Sequence, residues 1–149
     1  MVEELVSRAQ HQLRNHHVSV AAAGIGVMTD EPVLVLGSTG TVGRRVTAVL
    51  TDHGVSVAAA SRGGPVRFDW SDPTTWDVAI DGSTCAFVMA PDGVEVDPSF
   101  IERAVERGVT TLVLLSSRAI VQMNDQRLLS AEKAVRESGA DWTIVRADW

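Results

Sequence analysis

Residues 33–46 read VLVLGSTGTVGRRV, and the reading of this stretch decides the fold. A run of aliphatics is followed at once by Gly37, Gly40 and Gly43, glycines spaced by three. Glycine inside a regular element costs up to about 1 kcal/mol against alanine, so a chain that repeats it there needs the space. The pattern is that of a buried strand leaving through a tight turn into a helix. In that arrangement Gly37 permits the turn, Gly40 lets main chain approach a diphosphate, and Gly43 lets the helix pack near the sheet. Helix-start amides at Thr41, Val42 and Gly43 then face the anion, and Ser38, Thr39 and Thr41 add hydroxyl donors. Several glycines alone are a weak signal; their place between an aliphatic strand and a helix is a stronger one.

Working outward, short aliphatic runs alternate with helical stretches from Pro32 onward. The strands read as PVLVLG, VSVAAASR, VRFDW, CAFVMAP, TTLVLLSS and WTIVRA, with helices over Thr41 to His53, around Thr74 to Ile80, Pro98 to Arg107 and Asn124 to Ser138. Strands apolar on both faces and separated by helices require right-handed crossovers and a parallel sheet. The expected fold is a doubly wound α/β domain of the Rossmann type over residues 32–149. Residues 1–31 form an N-terminal extension in which Val2, Leu5, Val6, Ala9 and Leu13 recur at helical spacing, as in a short amphipathic helix or a frayed arm. His16 and His17 are adjacent, point in different directions and lack further ligand types nearby, so no metal site is expected.

With 149 residues, 45% hydrophobic and 21% charged, the chain is sized for one folded domain. A net charge of -6 argues against a nucleic-acid surface, which would need clustered Lys and Arg. No stretch reaches the roughly 20 apolar residues of a membrane span, so no membrane partner is expected. Cys85 is the lone cysteine and sits in an apolar run, which fits a buried thiol and a reducing cytoplasm. Between Phe68 and Glu102 there is no Lys or Arg, and the expectation there is solvated acidic loops around the sheet.

The second strand ends at Ser61 and Arg62, where an NAD-binding domain would carry a carboxylate for the ribose 2′-hydroxyl. A guanidinium can instead pair with a 2′-phosphate by two charge-assisted hydrogen bonds and stack on adenine, so NADP(H) is expected in preference to NAD(H).

Taken together, the GSTGTVG loop, ASRGG after the second strand, FDW after the third, LVLLSS, and AEKAVRESGADWTIVRADW near the end resemble the NmrA-like NAD(P)-binding family of atypical short-chain dehydrogenases/reductases. The resemblance spans roughly Val33 to Trp149. It implies that Asp69 and Trp70 lie beside the adenine, that Met89, Ala90 and Pro91 lie beneath the ribose and nicotinamide, and that Ser116 and Ser117 lie near the nicotinamide. It also implies a substrate of small-molecule type, such as a carbonyl or quinone.

Two departures stand out. The wider superfamily moves a proton through a Tyr-x-x-x-Lys pair, and this chain has no tyrosine. Lys133 follows Ser117 at a plausible distance, but Leu129 occupies the acid's position, and an alternative register anchored on Glu132 puts Asn124 there, so either alignment lacks the acid. Ser117 and Lys133 are therefore the catalytic candidates, without the acid. Members of the family also continue beyond the Arg-Pro that ends this pattern, whereas here Ala147 replaces the proline. The expectation is a substrate site closed by another subunit or reduced to the nucleotide cleft, with an exposed sheet edge that favours a homodimer. Three readings stay open: an NADPH-dependent reductase, a non-catalytic nucleotide sensor acting through a protein partner, and a fold kept without its ligand.

Overall fold

The computed structural model describes residues 31–148 together with position 11. The N-terminal extension before Glu31, with its amphipathic stripe and His16 and His17, lies outside the described residues, as does Trp149.

Aliphatic runs become strands and the amphipathic stretches between them become helices, in the order β1 (Val33–Leu36), α1 (Thr41–Asp52), β2 (Val57–Ser61), β3 (Val66–Arg67), α2 (Trp76–Ile80), β4 (Cys85–Val88), α3 (Pro98–Glu106), β5 (Thr111–Ser117), α4 (Gln126–Arg136) and β6 (Asp141–Ala147). All pairings are parallel, and the sheet order is β3-β2-β1-β4-β5-β6. This is the doubly wound arrangement in which the chain runs to one side of β1 and then returns to the other. The outer edge of β6 carries no strand among the described residues, where an exposed edge was expected.

Each face of the sheet holds its own core. On one, Val42, Val46 and Leu50 of α1 cover Val33, Val35, Cys85 and Phe87. On the other, α2, α3 and α4 press Trp76, Ile80, Phe100, Ile101, Ala131 and Val135 onto Leu34, Leu36, Ala86 and Leu112. Alternating residues of the same strand thus serve opposite cores, which is why the strands read as unbroken apolar runs.

The third strand is shorter than VRFDW suggests. Only Val66 and Arg67 are paired residue for residue with β2; Phe68 N–H still donates to the Ser61 carbonyl at 3.0 Å, while the rings of Phe68 and Trp70 join an aromatic cluster with Trp76 and Phe100, meeting edge to face at 5.0–6.3 Å between centroids. Edge-to-face packing adds about 0.5–1.5 kcal/mol per pair beyond area burial. Helix starts are marked by carboxylate caps: Asp97 accepts from Ser99 N at 2.9 Å, and Asp125 from Arg127 N at 3.1 Å. The acidic stretch is partly neutralised from α3, since Arg103 and Arg107 stand 3.5 Å and 3.8 Å from Asp77.

Candidate functional site

The carboxyl ends of β2, β1 and β4 meet where the winding reverses, and the turn after β1 occupies that point. Gly37 has φ +66, a left-handed conformation that disfavours any side chain. The turn is tied to the sheet by Ser38 N–H donating to the Ala60 carbonyl at 3.1 Å and is closed by Gly40 N–H donating to the Gly37 carbonyl at 2.9 Å. Helix α1 starts at Gly40, whose carbonyl takes the first helical bond from Arg44 N–H at 3.0 Å. No side chain caps this end, unlike α3 and α4. The amides of Thr41, Val42 and Gly43 consequently have no protein acceptor, and the helix dipole adds about half a positive charge at the same place.

Two further features bear on what the turn could hold. The Ser38 hydroxyl is buried, on a residue 6% exposed, and has no hydrogen-bond partner. The Ser61 hydroxyl at the end of β2, on a residue 7% exposed, is likewise unpartnered. Buried polar atoms are nearly always satisfied; among the described residues Thr47 and Ser83 also carry unpartnered hydroxyls, and the one that stands in the turn itself, at Ser38, is available to an acceptor from outside the chain. A Cβ at Gly40 would meet only the Gly37 carbonyl oxygen, at 3.3 Å, so its outer side is open to a ligand. These residues fit a diphosphate: an uncapped helix start, an open glycine and a free hydroxyl.

Around this centre the structure brings together most of the residues singled out in the sequence. Arg62 is exposed in the turn from β2 to β3. Asp69 accepts from the Ser71 hydroxyl at 2.7 Å and its amide at 2.9 Å. Those two bonds, with the charges of Arg62 and Arg67, hold its carboxyl below the ordinary range. Trp70 is half-buried in the aromatic cluster and its indole N–H donates to the Met89 carbonyl at 3.2 Å. Met89 and Ala90 are half-buried just past β4, and Pro91 follows them exposed.

The two serines of β5 divide. Ser117 is on the last residue of the strand and its hydroxyl accepts from Ala119 N–H at 3.2 Å. Ser116 faces α4 instead, donating to Glu132 Oε1 at 2.7 Å. Glu132, only 1% exposed, also receives Arg146 Nε at 2.9 Å, Arg146 Nη2 at 2.7 Å and Arg136 Nη2 at 2.8 Å. The Arg146 bonds, with those from Ser116 and Arg136, outweigh burial and bring its carboxyl down to about 2. Lys133 is exposed, whereas its neighbours Ala131, Glu132 and Val135 face inward. The α4 residue that reaches β5 is thus Glu132 and not Lys133. Sequence reasoning missed this role of Glu132; the available signal was a carboxylate sharing the helical face of Leu128, Ala131 and Val135.

Comparison with protein-family profiles gives no match. Among curated proteins, the chain is 30% identical to the uncharacterized oxidoreductase YesF of Bacillus subtilis over 83% of this chain and 46% of that protein. It is 32% identical to the (4-alkanoyl-5-oxo-2,5-dihydrofuran-3-yl)methyl phosphate reductase of Streptomyces griseus over 76% and 46%. A third relative is prestalk A differentiation protein A of Dictyostelium discoideum, 29% identical over 79% and 44%. The chain therefore spans less than half the length of these curated relatives. Among solved structures, a short-chain dehydrogenase/reductase from Veillonella parvula superposes with a TM-score of 0.61 at 17% identity, covering 80% of this chain and 69% of that one. The shared fold is the α/β Rossmann-like arrangement, a parallel six-stranded sheet flanked by helices. Two of the sequence relatives are named an oxidoreductase and a reductase, and the structural neighbour is named a short-chain dehydrogenase/reductase.

Proposed function

We propose that this chain is the nucleotide-binding domain of an NmrA-like reductase and that it holds NADP(H) in preference to NAD(H). The observation that carries the reading is the uncapped start of α1 beside the buried, unpartnered Ser38 hydroxyl. Main-chain amides of Thr41, Val42 and Gly43, with Ser38 and Thr39, hold the diphosphate. Arg62, exposed past the end of β2 where a carboxylate would mark an NAD site, takes the 2′-phosphate, and Ser61 offers the ribose side a hydroxyl. Asp69 and Trp70 border the adenine, while Met89, Ala90, Pro91 and Ser117 border the nicotinamide half.

A bound nicotinamide supplies a hydride for a small carbonyl or quinone-like acceptor. With no tyrosine in the chain, what these residues contribute is orientation, which can supply most of a rate when the reacting atoms are held in line. Calorimetric titration of NADPH and NADH, followed by NADPH consumption against a panel of quinones and carbonyls, tests the proposal. Tight NADPH binding with substrate-dependent consumption supports it; absence of binding to either nucleotide refutes it.

A second reading, a nucleotide sensor without turnover, is favoured by one specific feature. The acid position of the superfamily is Leu129, half-buried, and the following Lys133 is exposed on α4. Binding without consumption across the panel selects this reading.

A further inference from the structure

Met89 closes over the first glycine of the turn. Its Sδ lies 3.0 Å and its Cγ 3.2 Å from where a Cβ on Gly37 would stand, so the thioether rests directly against that residue's main chain. The same side chain packs on the apolar cluster beneath α1, which includes Val42, Phe87 and Leu115. Its main chain is held by the Trp70 indole at 3.2 Å, and Trp70 is wedged edge-on between Phe68 and Phe100, both 5.0 Å away between centroids. Met89 is thus pinned at its carbonyl and confined at its sulfur, between the core and the turn.

We infer that Met89 is a positioning residue for the Gly37–Gly43 turn, and that oxidation of its thioether by a hydroperoxide switches nucleotide binding off; this rests on the nucleotide reading above. In the reaction a sulfur lone pair attacks one peroxide oxygen, the O–O bond breaks and an S–O bond forms. The departing oxygen takes a proton and leaves as water or an alcohol, so sulfur loses two electrons and the peroxide gains them. The product is a polar sulfoxide in place of a flexible apolar thioether. Its oxygen has nowhere neutral to go: on one side lies the apolar cluster against which Met89 packs, and on the other the Gly37 turn, whose following amides must stay free for an anion. Either the turn shifts or the new acceptor competes for those amides, and both weaken nucleotide binding. The half-burial of Met89 leaves a path for a small peroxide.

The test compares wild type, Met89→Leu and Met123→Leu, each titrated with NADPH by calorimetry before and after hydrogen peroxide and referred to its own untreated affinity. Met123, 75% exposed, is the control for oxidation that does not touch the turn. Peptide mass mapping reports which methionines have gained oxygen. The inference predicts that wild type and Met123→Leu lose about tenfold in affinity in step with oxygen gain at Met89. It also predicts that methionine sulfoxide reductase restores the affinity and that Met89→Leu keeps its own value after treatment. Complete oxidation of Met89 with unchanged affinity overturns it, as does an equal loss in Met89→Leu or conversion of Met123 with Met89 left intact. Should Met89→Leu fold poorly, the loss and its reversal in Met123→Leu, followed by mass mapping at each remaining methionine, decide the matter: recovery that tracks oxygen lost at Met89 supports the inference, and recovery that tracks another methionine overturns it. If untreated wild type binds no NADPH, the nucleotide reading fails and takes this inference with it, whereas binding that peroxide leaves untouched sinks the inference alone.

Discussion

A Cβ on Gly43 would overlap the Gly37 carbonyl oxygen and stand 2.6 Å from the Gly37 carbonyl carbon and 2.9 Å from Ser38 Cα. The first turn of α1 is packed onto the main chain of the loop that precedes it, with no room for a methyl group. Gly40, by contrast, meets only one atom and faces open space.

That difference separates two mutants. Gly43→Ala forces main chain apart inside a buried turn and is expected to cost about 3 kcal/mol of stability, at the upper end for overpacking. Gly40→Ala is expected to stay within about 1 kcal/mol of wild type while losing at least about tenfold in NADPH affinity, because the added methyl occupies the ligand's side of the turn. Urea denaturation and calorimetry read the two effects independently. Equal loss of stability in both mutants contradicts the assignment.

Arg62→Ala is expected to weaken NADPH binding by about tenfold or more and to leave NADH binding nearly unchanged, since only the former offers a 2′-phosphate to the guanidinium. A parallel loss for both nucleotides removes Arg62 from the 2′ subsite.

Glu132 carries a pH-dependent share of the stability. Its folded carboxyl titrates at about 2 against an ordinary value of 4.5, so the unfolded chain binds the proton first as pH falls. The stabilisation is therefore complete above about pH 4.5 and is lost between that point and about pH 2, amounting to about 3 kcal/mol. Denaturation of wild type and Glu132→Gln between about pH 6 and about pH 2.5 checks it: the difference between them narrows as pH drops. A difference that is constant across this window contradicts the role.

Cys85 sits in β4 at 1% exposure, and burial pushes its thiol up to about 12. Native protein near neutral pH is expected to resist thiol reagents and to react fully once unfolded in urea. Rapid labelling of the native state would mean that the β4 core opens far more readily than its packing allows.

Much of the fold was legible because the central strands β1, β4 and β5 are buried on both faces and read as apolar runs, and the stretches between the strands read as helices. The glycine turn was legible for a different reason, since steric absence at Gly37 and Gly43 leaves a mark in the sequence. What was not legible depended on contacts between distant positions. Phe68 and Trp70 read as strand, yet partners from α2 and α3 draw them into an aromatic cluster. Glu132 read as one more polar position on a helix, because Ser116 and Arg146 lie on two different strands and come together only through the β5–β6 pairing. Lys133 was singled out by spacing alone, and spacing does not say which of two neighbouring helix residues faces the sheet.

The most direct test of the central claim is a crystal structure of the protein grown with NADP+. The account predicts diphosphate oxygens accepting from the amides at the start of α1 and from the Ser38 hydroxyl, with the 2′-phosphate beside Arg62. A nucleotide bound elsewhere, or a turn whose amides point away from it, would contradict the account.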